Sequence, residues 1–422
     1  MGKILLKSVL MQNVGEKPMR KDVLVDGNKF SKISDQVSPE MAGGAEVVDC
    51  KNFALLPAFY NGHTHAAMNL LRGYADDMEL SKWLNEYIWP FEAKLTDKDI
   101  EIGSRLGILE MIKSGTVFFA DMYWHREQTM KVVEEMGIRA TIGVTIADNL
   151  MTEEGLNANF EFLKNHTGES ERVKLSVMPH SVYAVGEKNL KRCIDMAEQE
   201  NYPLHIHLSE TASEVENCIA QYGCSPVELL ERLGGLNRMV QAAHCVHFSN
   251  KDMEVFAKSG ATAILNPCSN LKLSSGIPLI AKMMDAGVNI ALGTDGASSN
   301  NNLDMHEEMK LAALLAKVQG GAEKLPASEA IMMATARVAE LNGINAGLIA
   351  EGKLADGLLV RLDNERMVPC HDLISNWVYS ADSRSIDSVI CNGRFVMRGG
   401  HVDGEEDILK EAESCAARLA GR

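Results

Sequence analysis

No two of the nine cysteines form a C-x-x-C pair. That absence excludes a zinc ribbon and a thioredoxin-like dithiol, and an odd, scattered set of thiols reads as reduced. Pro267-Cys268 opens the Pro-Cys-x-x-Cys zinc motif of the cytidine-deaminase fold, but Leu271 stands where the second cysteine belongs. No apolar run approaches the roughly 18 residues of a transmembrane helix. Residues 4–11 are interrupted by Lys7 and lack a small-residue cleavage site, so they do not read as a secretory signal. Positive charge is scarce as well: 42 Lys and Arg stand against 58 Asp and Glu, for a net charge of -16. Without a basic block there is nothing to neutralise a phosphate backbone, so nucleic acid is not an expected partner and neither is a membrane. Gly (34) and Pro (11) are too few for a linker-rich or collagen-like chain. These exclusions leave a globular protein expected in the cytoplasm.

With 422 residues, 46% hydrophobic and 24% charged, the chain can bury a large core. Eight short apolar, β-rich runs fall at residues 54–60, 116–121, 140–146, 173–179, 204–208, 239–244, 261–265 and 289–293. Amphipathic stretches separate them, including 97–113, 187–199, 250–259 and 277–286, and 304–318 follows the eighth run. Near-continuous hydrophobicity suits strands covered on both faces, and the alternation predicts an α/β fold, a (β/α)8 TIM barrel. The flanks carry short strands with turn signals, Asp26-Gly27-Asn28 at one end and Asn392-Gly393 at the other. They predict a small β-sandwich domain built from both termini. The expected division is 1–53 for its first part, 54–347 for the barrel, and 348–422 for its second part with a C-terminal helix. Between His65 and Thr96 lies a long segment with Met68, Leu70, Leu71, Trp83, Trp89 and Phe91. Such a segment after the first barrel strand reads as a lid or pocket wall, with simple packing over the barrel mouth as the alternative.

The chemistry-bearing residues fall at the carboxyl ends of these strands, where barrel active sites sit. His63 and His65 end the first, two residues apart and therefore facing the same way. His180 follows the fourth, His207 and Glu210 the fifth, His244 ends the sixth and Asp295 the eighth. His63, His65, His207 and Asp295 supply three imidazoles and a carboxylate, a set suited to a divalent ion with one position open to water. An ion held there lowers the pKa of that water toward neutrality. His244 is expected to orient or polarise the water, and Asp295 to accept its proton as well as ligate. A carbamylated lysine bridging two metals would end the fourth strand; Lys174 begins it instead, so one ion is expected. His205, facing as His207 does but deeper, reads as a buried orienting or packing residue. His247 and His306 read as loop or helix-start residues, and His125 as a candidate pocket residue after the second strand.

Three stretches carry a family resemblance: Pro57-Ala58-Phe59-Tyr60-Asn61-Gly62-His63-Thr64-His65, Leu204-His205-Ile206-His207-Leu208-Ser209-Glu210-Thr211, and Asn266-Pro267-Cys268-Ser269-Asn270-Leu271-Lys272-Leu273 continued by Leu292-Gly293-Thr294-Asp295-Gly296-Ala297-Ser298-Ser299-Asn300-Asn301. With Gly352-Lys353-Leu354-Ala355-Asp356 leading into the second half of the small domain, the chain resembles the amidohydrolase superfamily. Within it, the chain resembles the methylthioadenosine/S-adenosylhomocysteine deaminase family. The resemblance implies that His63, His65, His207 and Asp295 bind the metal, that Glu210 shuttles a proton to a purine ring, and that Glu92 and His180 contact a nucleoside. It implies hydrolytic deamination of an adenine nucleoside (5'-methylthioadenosine, S-adenosylhomocysteine, 5'-deoxyadenosine or adenosine) to the inosine analogue and ammonia. Zn2+ is the first choice of ion, with Fe2+ and Mn2+ as alternatives, and a homo-oligomer is expected. A guanine deaminase, a chlorotriazine hydrolase and a non-catalytic barrel scaffold are the rival readings. Trp83 and Trp89, with Met68, are expected to cover a methylthio or 5'-deoxy group.

Two departures bear on substrate. Family members acting on S-adenosylhomocysteine carry arginines after the third strand, whereas residues 140–165 here hold none and only Lys164 as a cation. The fourth strand ends Pro179-His180-Ser181-Val182-Tyr183 instead of Pro-His-Ala-Pro-Tyr. Weak recognition of a substrate carboxylate is therefore expected, unless a residue such as Arg72 supplies the charge.

Overall fold

The computed structural model describes residues 2–12 and 16–421. Eight parallel strands, Phe59–Thr64, Thr116–Asp121, Arg139–Ile146, Val173–Pro179, Leu204–Leu208, Val240–His244, Thr262–Leu265 and Asn289–Leu292, follow one another around a single sheet in chain order. Almost every residue in them is buried, because helices cover the outer face and side chains fill the inner one. The first and last strands close on each other at their carboxyl ends. Thr294 and Asp295 N–H groups both donate to His63 O, at 3.1 and 3.0 Å. Only glycine fits this seam: a Cβ on Gly62 would lie 2.8 Å from Leu292 O, and one on Gly293 would lie 2.6 Å from His63 N.

A second, mixed sheet joins both ends of the chain, through Lys3–Met11, Met19–Asp26, Lys29–Ser34, Glu46–Asp49 and Phe53–Pro57 and then Gly357–Arg361, Ile386–Cys391 and Arg394–Met397. The fold is thus the (β/α)8 barrel with the small β-sandwich domain that the patterning predicts. The expected turn forms at Asp26–Lys29, with Gly27 at φ 62°. The run at 54–60 differs from expectation, because it is two strands. Phe53–Pro57 pairs antiparallel with Gly357–Arg361 in the small sheet, and Phe59–Thr64 opens the barrel. An unbroken apolar run carries no mark of where a chain passes from one sheet to another.

The two sheets are joined by a buried polar knot. Arg139, at the start of the third barrel strand, donates to Asp356 Oδ2 at 2.6 Å and to Asn392 Oδ1 at 2.8 Å. The Asn392 N–H and the Tyr60 hydroxyl also donate to Asp356. Asp356 pulls the guanidinium pKa upward against the opposing effect of burial. Among the described residues no helix is long and apolar enough to cross a membrane.

Candidate active site

The side chains singled out at the strand ends meet in one buried cluster. His65 Nε2 lies 3.1 Å, and His63 Nε2 3.4 Å, from Asp295 Oδ1, while His207 Nε2 is 3.4 Å from His65 Nε2. The other ring nitrogen of each histidine is engaged. His63 Nδ1 meets His205 Nε2 at 2.9 Å, His65 Nδ1 meets Met122 O at 2.5 Å, and His207 Nδ1 meets His180 O at 2.7 Å. Asp295 is oriented in the same manner, its Oδ2 accepting from Ser269 Oγ at 2.6 Å and Ser299 Oγ at 2.9 Å. Three Nε2 atoms and one carboxylate oxygen therefore converge with their partners already fixed, as metal ligands are normally held. His63 Nε2 is buried and makes no hydrogen bond, a cost that an ion would remove. The donor set fits a divalent metal.

His244 adds a fourth imidazole, and its nitrogen also lies within 4.8 Å of ligand atoms on His63 and His207. Asn270 Nδ2 contacts its Nδ1 at 2.9 Å, and its Nε2 is 3.7 Å from Glu210 Oε2. Glu210 Oε1 accepts from Ser275 Oγ at 3.1 Å. Burial raises the Glu210 carboxyl above the usual range, with His244 opposing the shift. Burial lowers His180 to about 3 and His205 to about 4, so both rings are neutral. Ser209, His244, Cys245 and Asp295 all sit at positive φ (52°, 74°, 50° and 63°). Such left-handed non-glycine residues persist only where surrounding bonds hold them, and they gather at functional sites.

A cleft opens beside the cluster, lined among others by Met68, Trp83, Trp89, Glu92, His180 and Glu210. Burial raises the Glu92 carboxyl, and Trp124 Nε1 donates to it at 3.2 Å. The wall residues Ala67, Met68, Leu70, Leu71, Trp83, Leu84, Ile88 and Phe91 form a separate apolar cluster with Tyr123, Leu273 and the C-terminal helix residues Ala412 and Cys415. Trp83 Nε1 donates to Ala75 O at 3.1 Å. Among the described residues no Lys or Arg lines the cleft. Arg72 instead pairs with Glu110, and Lys164 with Glu161.

His125 stands outside this cleft, exposed and hydrogen-bonded through Nδ1 to Asp97 Oδ1 at 2.6 Å. His247 holds Ser275 O at 2.7 Å, and His306 is buried against Trp377 O. Sequence reasoning missed Tyr123 and Trp124 in the cleft, and Ser275 behind Glu210. The signal for the aromatic pair was their position after the second strand.

The chain matches the Amidohydrolase family over residues 54–396. It belongs to that family. Among similar proteins, the 5'-deoxyadenosine deaminase of Methanothrix thermoacetophila is 42% identical over 399 residues, 94% of this chain and 95% of the other. The 5-methylthioadenosine/S-adenosylhomocysteine deaminase of Desulforudis audaxviator is 44% identical over 382 residues, 89% of each chain. A solved adenosine deaminase from Xanthomonas campestris with bound zinc superposes with a TM-score of 0.93 at 29% identity, covering 99% of both chains. As an amidohydrolase the protein is a metal-dependent hydrolytic enzyme.

Proposed function

We propose that this amidohydrolase removes the 6-amino group of an adenine nucleoside by hydrolysis, giving the inosine analogue and ammonia, with a single zinc ion held by His63, His65, His207 and Asp295. The observation that carries the reading is Glu210, a buried carboxyl with a raised pKa, within reach of both the ligand cluster and the cleft. When bound, the ion supplies a water deprotonated near neutral pH. Asp295 would accept the proton of that water, and His244 would orient it. Glu210 in its acid form would deliver a proton to ring N1, the proton taken up by Asp295 would pass to the C6 amino group so that it leaves as ammonia, and the proton of the C6 hydroxyl would return to Glu210 as the carbonyl forms. Glu92 and His180 hold the nucleoside, and Trp83 and Trp89 wall off its 5' end. The names of relatives sharing more than two-fifths of their residues with this chain support an adenine nucleoside as substrate.

Displacement of chloride from a triazine needs no proton at the leaving atom, so a buried acid favours loss of ammonia. A scaffold protein has no use for three oriented imidazoles beside an oriented carboxylate. The deciding experiment follows ammonia release from adenine nucleosides, guanine and chlorotriazines. Ammonia from the nucleosides alone is the expected result, and turnover confined to guanine or triazine overturns the reading.

A further inference from the structure

Thr211-Ala212-Ser213-Glu214 has the S/T-x-x-E spacing of a capping box, in which the glutamate reaches back to the N–H of the capping residue. Three helices here follow that pattern, with Thr96 and Asp99, Ser225 and Glu228, and Ser249 and Asp252. The helix Ala212–Tyr222 keeps only half of it. Thr211 Oγ1 accepts from the Glu214 N–H, but the Thr211 N–H is not the nearest partner of the Glu214 carboxylate. Its two short bonds come from the preceding amides, Ser209 N–H at Oε1 and Glu210 N–H at Oε2, both at 2.8 Å.

Those two amides flank the left-handed turn at Ser209, φ 52°, by which the chain leaves the fifth barrel strand and presents Glu210 to the cleft. The Ser209 hydroxyl makes no hydrogen bond, so the side chain does not stabilise its own strained backbone. The turn is held by Glu214 together with two backbone bonds, from the Cys245 N–H to Leu208 O at 3.0 Å and from the His247 N–H to Ser209 O at 2.9 Å. Glu214 is itself buried, and its carboxylate has no part in the reaction proposed above. Burial pushes its pKa up to about 8, with the Glu210, Ser209 and Thr211 amides pulling the other way. Two N–H donors on two oxygens suit a carboxylate, and a glutamine would turn an NH2 group toward one of them.

We propose that Glu214 is a positioning residue for proton transfer: by clamping the Ser209 and Glu210 amides it holds a strained turn in the one conformation that aims the Glu210 carboxyl at the substrate. The inference rests on the reading of Glu210 as the proton carrier. Misplacement of a catalytic group by about 1 Å costs on the order of 10²-fold in rate, so loosening the clamp acts on kcat.

The test compares Glu214→Gln and Glu210→Gln in the metal-loaded enzyme with an adenine nucleoside as substrate, measuring metal content, KM, and kcat as a function of pH. Glu214→Gln is expected to keep its metal and a KM within about threefold of the parent, to lose roughly 10- to 100-fold in kcat, and to displace the pH limb set by Glu210. A kcat within threefold of the parent overturns the clamp, as does a loss of activity matched by loss of metal. If Glu214→Gln does not fold, Glu214→Asp, with the charge kept and the chain one methylene shorter, carries the same comparison. Full activity in Glu210→Gln overturns the proton-carrier reading, whereas an inactive Glu210→Gln beside a fully active Glu214→Gln overturns the clamp alone.

Discussion

His205 Nε2 lies 2.9 Å from His63 Nδ1, with the two rings stacked at 17° between planes. The contact fixes which nitrogen of His63 faces the other donors, and His205 Nδ1 is in turn held by Gln241 Oε1 at 3.3 Å. His205→Ala frees the His63 ring, and the expected outcome is a 10- to 100-fold weaker hold on the metal, the usual cost of removing a ligand's orienting partner. Competition with a chelator, read by elemental analysis, checks it; unchanged retention of metal would contradict it.

The four converging donors close one site. About one divalent ion per chain is expected, with zinc supporting activity, and His207→Ala is expected to remove metal and turnover together. Two equivalents in the parent enzyme, or none in an active preparation, would refute this.

Glu210 must carry its proton to act. Burial raises its pKa, so the acid form persists to higher pH than an exposed carboxyl would allow, and kcat is expected to fall as pH rises through that raised value. Glu210→Gln is expected to retain the metal, lose roughly 10²-fold or more in turnover, and lose this limb of the profile. A pH profile identical to the parent's would remove Glu210 from the proton path.

Substrate preference follows from charge in the cleft. A carboxylate at the far end of S-adenosylhomocysteine calls for a bidentate arginine, and the lining offers aromatic and apolar side chains with Glu92 instead. Steady-state kinetics are expected to give a higher kcat/KM for 5'-methylthioadenosine, 5'-deoxyadenosine or adenosine. A clear preference for S-adenosylhomocysteine would overturn that order while leaving the deamination reading intact.

Stability depends on the knot between the sheets. Asp356→Ala leaves the buried Arg139 guanidinium without its carboxylate, and a loss of about 3–5 kcal/mol is expected, the range for breaking one side of a buried pair. Denaturant unfolding of the metal-loaded protein measures it. A change under about 1 kcal/mol would mean that water or Asn392 takes over the pairing.

Much of this architecture is written in local patterns. Strand and helix periods are set by burial on one or both faces, so runs such as 116–121, 173–179 and 204–208 and stretches such as 97–113 and 250–259 have the limits that composition marks. Because barrel chemistry collects where parallel strands end, His63, His65, His207, Glu210, His244 and Asp295 could be singled out together from their places along the chain. Hydrogen-bond partners are another matter. His205 lies 142 residues from His63, and Ser269 lies 26 residues from Asp295; only closure of the barrel brings them within reach. The passage of residues 53–64 from one sheet to the other was hidden for a similar reason, since both destinations demand the same apolar side chains. Glu214 shows the limit most sharply. Its spacing from Thr211 announces a cap, but which amides its carboxylate takes is decided by a left-handed turn that no residue type at position 209 foretells. Sequence thus determined which groups stand at the mouth of the barrel, through periodicity and strand ends, while tertiary structure decided how they are aimed, because aim depends on bonds between segments that meet only when the sheet closes.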